Sequence, residues 1–307
     1  MEKPRNNFDA LRLTAALAVM FSHVHALTGR PEPGLGGLTL GTIAVFVFFA
    51  ISGYLVSSSW RSDPDVQRFV ARRLLRVAPA YIVVIAVTSI TMTSLGLTSF
   101  TMNPLGAVNG SLWTIDYEVL CYLVFMVLAV ATRHGGLALV TMGAALGFDS
   151  YFEQFATIFG LGATISQYGV LQRRWSLPLI AAIAIAVFPL RPSFLPIAVF
   201  VTAASVWLGS QSWPGVRDFG ARGDLSYGVY LYAYPVQQLT IMLLGTSAPL
   251  PGLLLIAVVW TAAMAWLSWR FVEEPALALK AFLPRGAQRP EAANSAAMLS
   301  SESAVGK

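Results

Sequence analysis

Apolar stretches of membrane-crossing length follow one another from Phe8 to Phe271, separated by short polar or Gly/Pro-rich breaks. About 20 apolar residues cross a bilayer. On that measure the pattern predicts ten spanning helices: Phe8 to Thr28, Gly37 to Ser58, Pro79 to Thr98, Leu112 to Thr132, Gly136 to Ser150, Phe155 to Leu171, Leu177 to Leu190, Phe194 to Gly209, Leu225 to Gly245 and Leu250 to Phe271. Several middle spans are short, and Pro178, Pro189, Pro192 and Pro196 blur the helix ends around Arg191. Between the second and third spans, Phe69, Val70, Leu74 and Leu75 alternate with arginines at helical spacing. This predicts a basic amphipathic helix over Trp60 to Arg76, lying along the membrane face and opened by Asp63-Pro64. The predicted fold class is an all-α, polytopic membrane protein of about ten transmembrane helices. One domain covers residues 1–284, and the Ala-, Ser- and Glu-containing stretch 285–307 is expected to be a disordered tail.

Composition supports the pattern. Of 307 residues, 56% are hydrophobic and 11% charged, against about a quarter charged in soluble domains. The net charge of +5 could suit nucleic acid, but in a membrane chain the placement of basic residues matters more than their sum. With a cytoplasmic N-terminus, all of the 20 lysines and arginines except Arg30 and Arg191 fall on the inner side. That bias predicts both termini in the cytoplasm, a multi-pass protein of the inner (plasma) membrane, membrane lipid as a partner and no nucleic-acid partner. The first apolar stretch is expected to stay as the first span rather than be cleaved as a signal peptide. A single cysteine, Cys121, excludes an intrachain disulfide and a cysteine-based zinc cluster, and no metal site is expected.

Ionisable residues inside apolar runs carry the candidate chemistry, because they are costly there unless used. The first span has Arg12 at its start and His23 eleven residues on, about 16 Å along a helix. In the fourth span Glu118 lies about 9 Å from the outer end, a depth similar to that of His23. Imidazole and carboxylate together make an acid/base pair in which the carboxylate orients the histidine. His23 could alternatively be a structural polar group tying helices together. Arg73 and Arg76 form an Arg-X-X-Arg pair before the third span, suited to phosphate groups. Lipid binding and topology are the alternative for that pair. Ser52-Gly53 in the second span suggests close helix packing.

Five stretches, in order along the chain, resemble the integral membrane acyltransferase family 3, the O-acyltransferases of cell-surface glycans and related acceptors. They are Phe8-Asp9-Ala10-Leu11-Arg12 with His23; Phe48 to Leu55; Arg72 to Pro79; Ser111 to Glu118; and Leu225 to Leu231 with Pro235, followed by Arg270 to Glu273. The resemblance implies a ten-helix acyltransferase domain in which Arg12, His23, Arg73, Arg76 and Glu118 are functional. Where the family often has a histidine after the Tyr-Leu of the ninth span, this chain has Tyr232-Ala233-Tyr234. The implied reaction is O-acetylation or a related transfer from cytoplasmic acyl-CoA, acetyl-CoA the favoured donor, to a carbohydrate or glycolipid acceptor at the outer side. Arg12, Arg73 and Arg76 are then expected to hold the donor phosphates, with His23 and Glu118 catalytic and no permanently bound cofactor. The competing function is a transporter or flippase of a glycan or glycolipid intermediate, with His23 and Glu118 as a proton relay. The chain lacks the paired broken helices of an inverted repeat, which counts against it.

Overall fold

Each expected span that falls within the described residues has a helix at its position in the computed structural model, which describes residues 6–96, 108–171, 180 and 194–283. The seventh span, Leu177 to Leu190, and the tail 285–307 lie outside the described residues. The helices are α1 Phe8–Leu27, α2 Leu40–Ser62, α3 Val66–Ser94, α4 Trp113–Thr132, α5 Gly135–Leu146, α6 Tyr151–Tyr168, α7 Phe194–Ser210, α8 Ser226–Leu244 and α9 Leu250–Ser268. A π-helical turn, Trp269–Glu273, carries α9 into the short α10, Glu274–Ala278, and a closing 3-10 turn, Leu279–Phe282. A two-residue antiparallel hairpin, β1 Gly34–Leu35 and β2 Leu38–Thr39, joins α1 to α2. The fold is all-α, and among the described residues five helical runs are long and apolar enough to cross a membrane: α1, α2, α3, α4 and Leu250–Phe282.

One boundary differs from expectation. The basic segment Trp60 to Arg76 does not form a separate surface helix; Trp60 to Ser62 finish α2, and from Val66 it is the first part of α3, which passes through Pro79 without a break. Asp65 caps this start by accepting the Arg68 backbone N–H at 2.8 Å. Asp63 then binds the side chains of Arg68 and Arg72 at 2.7 and 2.5 Å. The hydrogen bond from Arg68, against the effect of burial and with help from Arg72, lowers the Asp63 carboxyl below its usual range. The consequence is positional: a continuous α3 brings Arg73 and Arg76 into the bundle instead of leaving them on the membrane face.

The other helix ends follow from local chemistry. Thr39 caps α2 through the Thr42 N–H at 3.1 Å, and Ser150 with Glu153 forms a capping box at α6. Gly147 and Gly169 close α5 and α6 with φ of 102° and 62°, backbone that glycine adopts without strain. Asn7 ties the start of α1 to the end of α7, its backbone N–H reaching the Gly209 and Gln211 carbonyls at 3.0 Å.

Among the described helices α8 is buried over most of its length, and α2 and α6 over about half of theirs. Aromatic side chains fill the space beside α2: Phe49 stacks on Phe155 with ring centroids 4.4 Å apart, and Phe46 meets Phe194 edge-on at 5.5 Å. Peripheral α3 and α9 turn Ile82, Ile85 and Ile90, and Leu255, Val259 and Trp260, outward. Exposed apolar rows of this size suit lipid rather than water.

Candidate active site

The arginines enter one cavity from two helices. Arg12 lies one turn into α1, Arg73 and Arg76 lie one turn apart on α3, and all three line a cavity of about 190 Å³ together with Lys280. Asp224, just before α8, binds Arg76 at 2.5 Å and Arg12 at 3.6 Å. It also accepts the Ser226 backbone N–H at 3.1 Å and the Ser226 hydroxyl, which fixes the carboxylate at the helix start. Burial alone would raise this carboxyl, but Arg76 and then Arg12 hold it well below the usual carboxylate range. Arg73 is held differently: its guanidinium stands over the Phe69 and Tyr122 rings, 5.6 Å from each centroid, and its buried Nε has no hydrogen-bond partner. A cation placed by rings, with donor capacity left over, is available to an anion.

Deeper in the same cavity, Glu118 on α4 accepts hydrogen bonds at Oε1 from Ser52 Oγ, at 2.8 Å, and from the Tyr122 hydroxyl. Ser52 therefore does more than permit packing. Its neighbour Gly53 is the packing residue, since a Cβ there would collide with the Phe159 carbonyl of α6.

His23 lines a second cavity, of about 390 Å³, with Glu32, Trp113, Tyr151 and Tyr234. The Tyr234 ring meets the imidazole edge-on at 5.0 Å, and the buried Nδ1 of His23 has no hydrogen-bond partner. Glu32 accepts the Ser22 hydroxyl. The two cavities share Val45, Thr114 and Tyr230, and the Thr114 and Tyr230 hydroxyls are hydrogen-bonded to each other. This hydroxyl pair is the partition between the arginine side and the histidine side.

The structure thus gathers Arg12, Arg73, Arg76 and Glu118 in one cavity and sets His23 in the next. The expected pairing of His23 with Glu118 is not formed: among the described residues no hydrogen bond joins them. Depth along two helices says nothing about the direction in which each side chain leaves its helix. Glu118 turns toward Ser52 of α2, while His23 turns toward Tyr234 of α8. Sequence reasoning missed Asp224, Glu32, Lys280 and the Thr114–Tyr230 pair. Asp224 alone left a signal, an acid two residues before a serine at the head of an apolar run, the pattern of a side-chain cap.

A family model described as an acyltransferase domain matches residues 5–270. An O-acetyl transferase of Shigella phage Sf6 is 31% identical, the match covering 88% of this chain and 95% of that protein. Nodulation protein 10 of Rhizobium leguminosarum bv. viciae is 30% identical, over 91% of this chain and 95% of its own. No solved structure matches the chain.

Proposed function

The chain belongs to this acyltransferase domain family and is a membrane O-acyltransferase, and from that premise we propose that it moves an acetyl group from cytoplasmic acetyl-CoA to a hydroxyl of a carbohydrate or glycolipid at the outer face of the plasma membrane. The observation that carries the reading is the pair of adjoining cavities. One is lined by guanidinium groups and the other by a histidine with an unpartnered buried nitrogen, and they meet at Thr114 and Tyr230. A long anionic thioester fits this plan, with its phosphates among Arg12, Arg73 and Arg76 and its arm running past Glu118 to the partition. The acceptor sits in the second cavity beside His23.

His23 takes the acceptor hydroxyl proton as the oxygen attacks the thioester carbonyl carbon. The tetrahedral intermediate collapses with cleavage of the C–S bond, the new ester stays with the acceptor, and CoA leaves as thiolate. His23 gives up its proton to the released sulfur or to water, so the enzyme returns unchanged. Glu118, anchored by Ser52 and Tyr122, acts from the donor side, where its charge attracts the Arg73 guanidinium. A directly shared proton between Glu118 and His23 is not part of the mechanism.

Purified protein should release CoA from acetyl-CoA, and envelope glycans from cells carrying the gene should show acetyl increments by mass spectrometry. His23→Ala should lower transfer about 100-fold or more while CoA still binds. Near-normal turnover would overturn the assignment. Arg73→Ala should instead raise the KM for acetyl-CoA about tenfold, and an unchanged KM would reject its phosphate role.

A further inference from the structure

Lys280 is the fourth cation of the arginine cavity, and it reaches that cavity from outside the helices that carry the family-like motifs. It stands on the closing 3-10 turn, Leu279–Phe282, which packs with α10 against α3. The charges acting on it are those of Arg76, Arg73 and Arg72, all of its own sign. Among the described residues no carboxylate pairs with Lys280, while Asp224 is already shared by Arg12 and Arg76. A lysine that only marks the cytoplasmic flank of a span gains most by turning into water. One that lines a cavity of like charges is unfavourably placed until an anion arrives.

Its position along the cavity selects which anion. Glu273, whose charge acts on Arg76, marks the level of that residue, and Arg73 stands one turn nearer the start of α3. Lys280 lies seven residues farther along the helical run, about 10 Å toward the open, cytoplasmic end of the cavity at 1.5 Å per residue. In CoA the order from the thioester is pantetheine arm, pyrophosphate, and last the ribose with its 3′-phosphate. With the thioester at Thr114 and Tyr230, the pyrophosphate meets the forked guanidinium groups, and the outermost cation meets the outermost phosphate. A compact ammonium on a flexible stem suits a terminal monoester whose three oxygens can rotate to meet it.

Resting on the acyl-CoA reading above, we infer that Lys280 is the ligand of the donor's ribose 3′-phosphate and makes the enzyme prefer CoA over its 3′-dephospho form. The test is titration of the purified full-length protein in detergent with CoA and with 3′-dephospho-CoA. The wild type should bind CoA about tenfold more tightly. Lys280→Gln should bind both at the affinity the wild type shows for 3′-dephospho-CoA, and Lys280→Arg should restore most of the preference. The unchanged 3′-dephospho-CoA affinity of Lys280→Gln doubles as its folding control. A wild type without preference, a Lys280→Gln protein that keeps it, or one that loses affinity for both ligands equally each overturns the inference while leaving the donor reading standing. A wild type that binds neither ligand removes the donor reading and the inference with it.

Discussion

Asp224 shows how one carboxylate organises the cationic cavity. It is 7% exposed at its side chain and holds two of the three arginines singled out by the sequence, so removing its charge strands both. Breaking a buried ion pair from one side is strongly destabilising, and Asp224→Asn should cost about 3 kcal/mol by thermal unfolding in detergent at neutral pH. The pH dependence has a definite sign. The folded carboxyl lies below its ordinary value of 3.8, so its stabilisation is fully present above that value and is lost as pH falls through it toward the depressed folded value. The stability gap between wild type and Asp224→Asn should stay constant from about pH 7 to about pH 5 and narrow progressively below about pH 4. A gap unchanged at pH 3 would contradict the role given to Asp224. Arg12, Arg73, Arg76, His23 and Glu118, all of which line one of the two cavities, could be singled out because ionisable groups stand out in an apolar chain. For Asp224 the sequence offered only the pattern of a helix cap, since an acid at the edge of a span looks like a boundary marker until its partners are known.

At the scale of elements, the site depends on how closely α2 and α6 approach. A Cβ at Gly53 would meet the Phe159 carbonyl, and one at Gly162 would meet the Ala50 carbonyl, so each helix uses a glycine to admit the backbone of the other. Two opposed effects decide the outcome of Gly53→Ala. Helix propensity favours alanine by about 1 kcal/mol, whereas forcing a methyl group against a backbone carbonyl in a packed interior costs about 1–3 kcal/mol. The second should win, lowering the unfolding temperature. Ser52, next in sequence, should then misplace Glu118 and reduce turnover as well. A more stable Gly53→Ala protein would show that the helices can part at little cost. Apolar run length made the helices legible, and small residues in the second span made its close packing legible. The start of α3 was not, because Pro79 looked like a helix opening, although the structure tolerates it within a helix capped earlier by Asp65. The azimuth of Glu118 was also out of reach, since it is set by contacts between helices that no single apolar run encodes.

Across the whole molecule, the arginine cavity and the histidine cavity lie toward opposite ends of the bundle. Arg12, at the start of α1, lines one, and His23, near the end of the same helix, lines the other. The proposed reaction needs those ends on opposite sides of the membrane, because it draws its donor from the cytoplasm and delivers to an acceptor outside. Basic residues in the chain argue for the arginine end inside, and cysteine labelling tests it directly. The single cysteine, Cys121, is buried, so a membrane-impermeant maleimide should report only on an added thiol. Leu35, 63% exposed, stands in the hairpin between Glu32 and Thr39, two residues of the histidine cavity. Phe282, 83% exposed, lies two residues beyond Lys280 of the arginine cavity. In intact cells Leu35→Cys should react at once, and Phe282→Cys only after permeabilisation. If both react from the same side, the two cavities do not face opposite compartments. If the order is reversed, the guanidinium groups face a compartment without acyl-CoA and the donor assignment falls. The expected result would give each end of α1 its task, with Arg12 holding a cytoplasmic anion and His23 taking a proton from an acceptor outside.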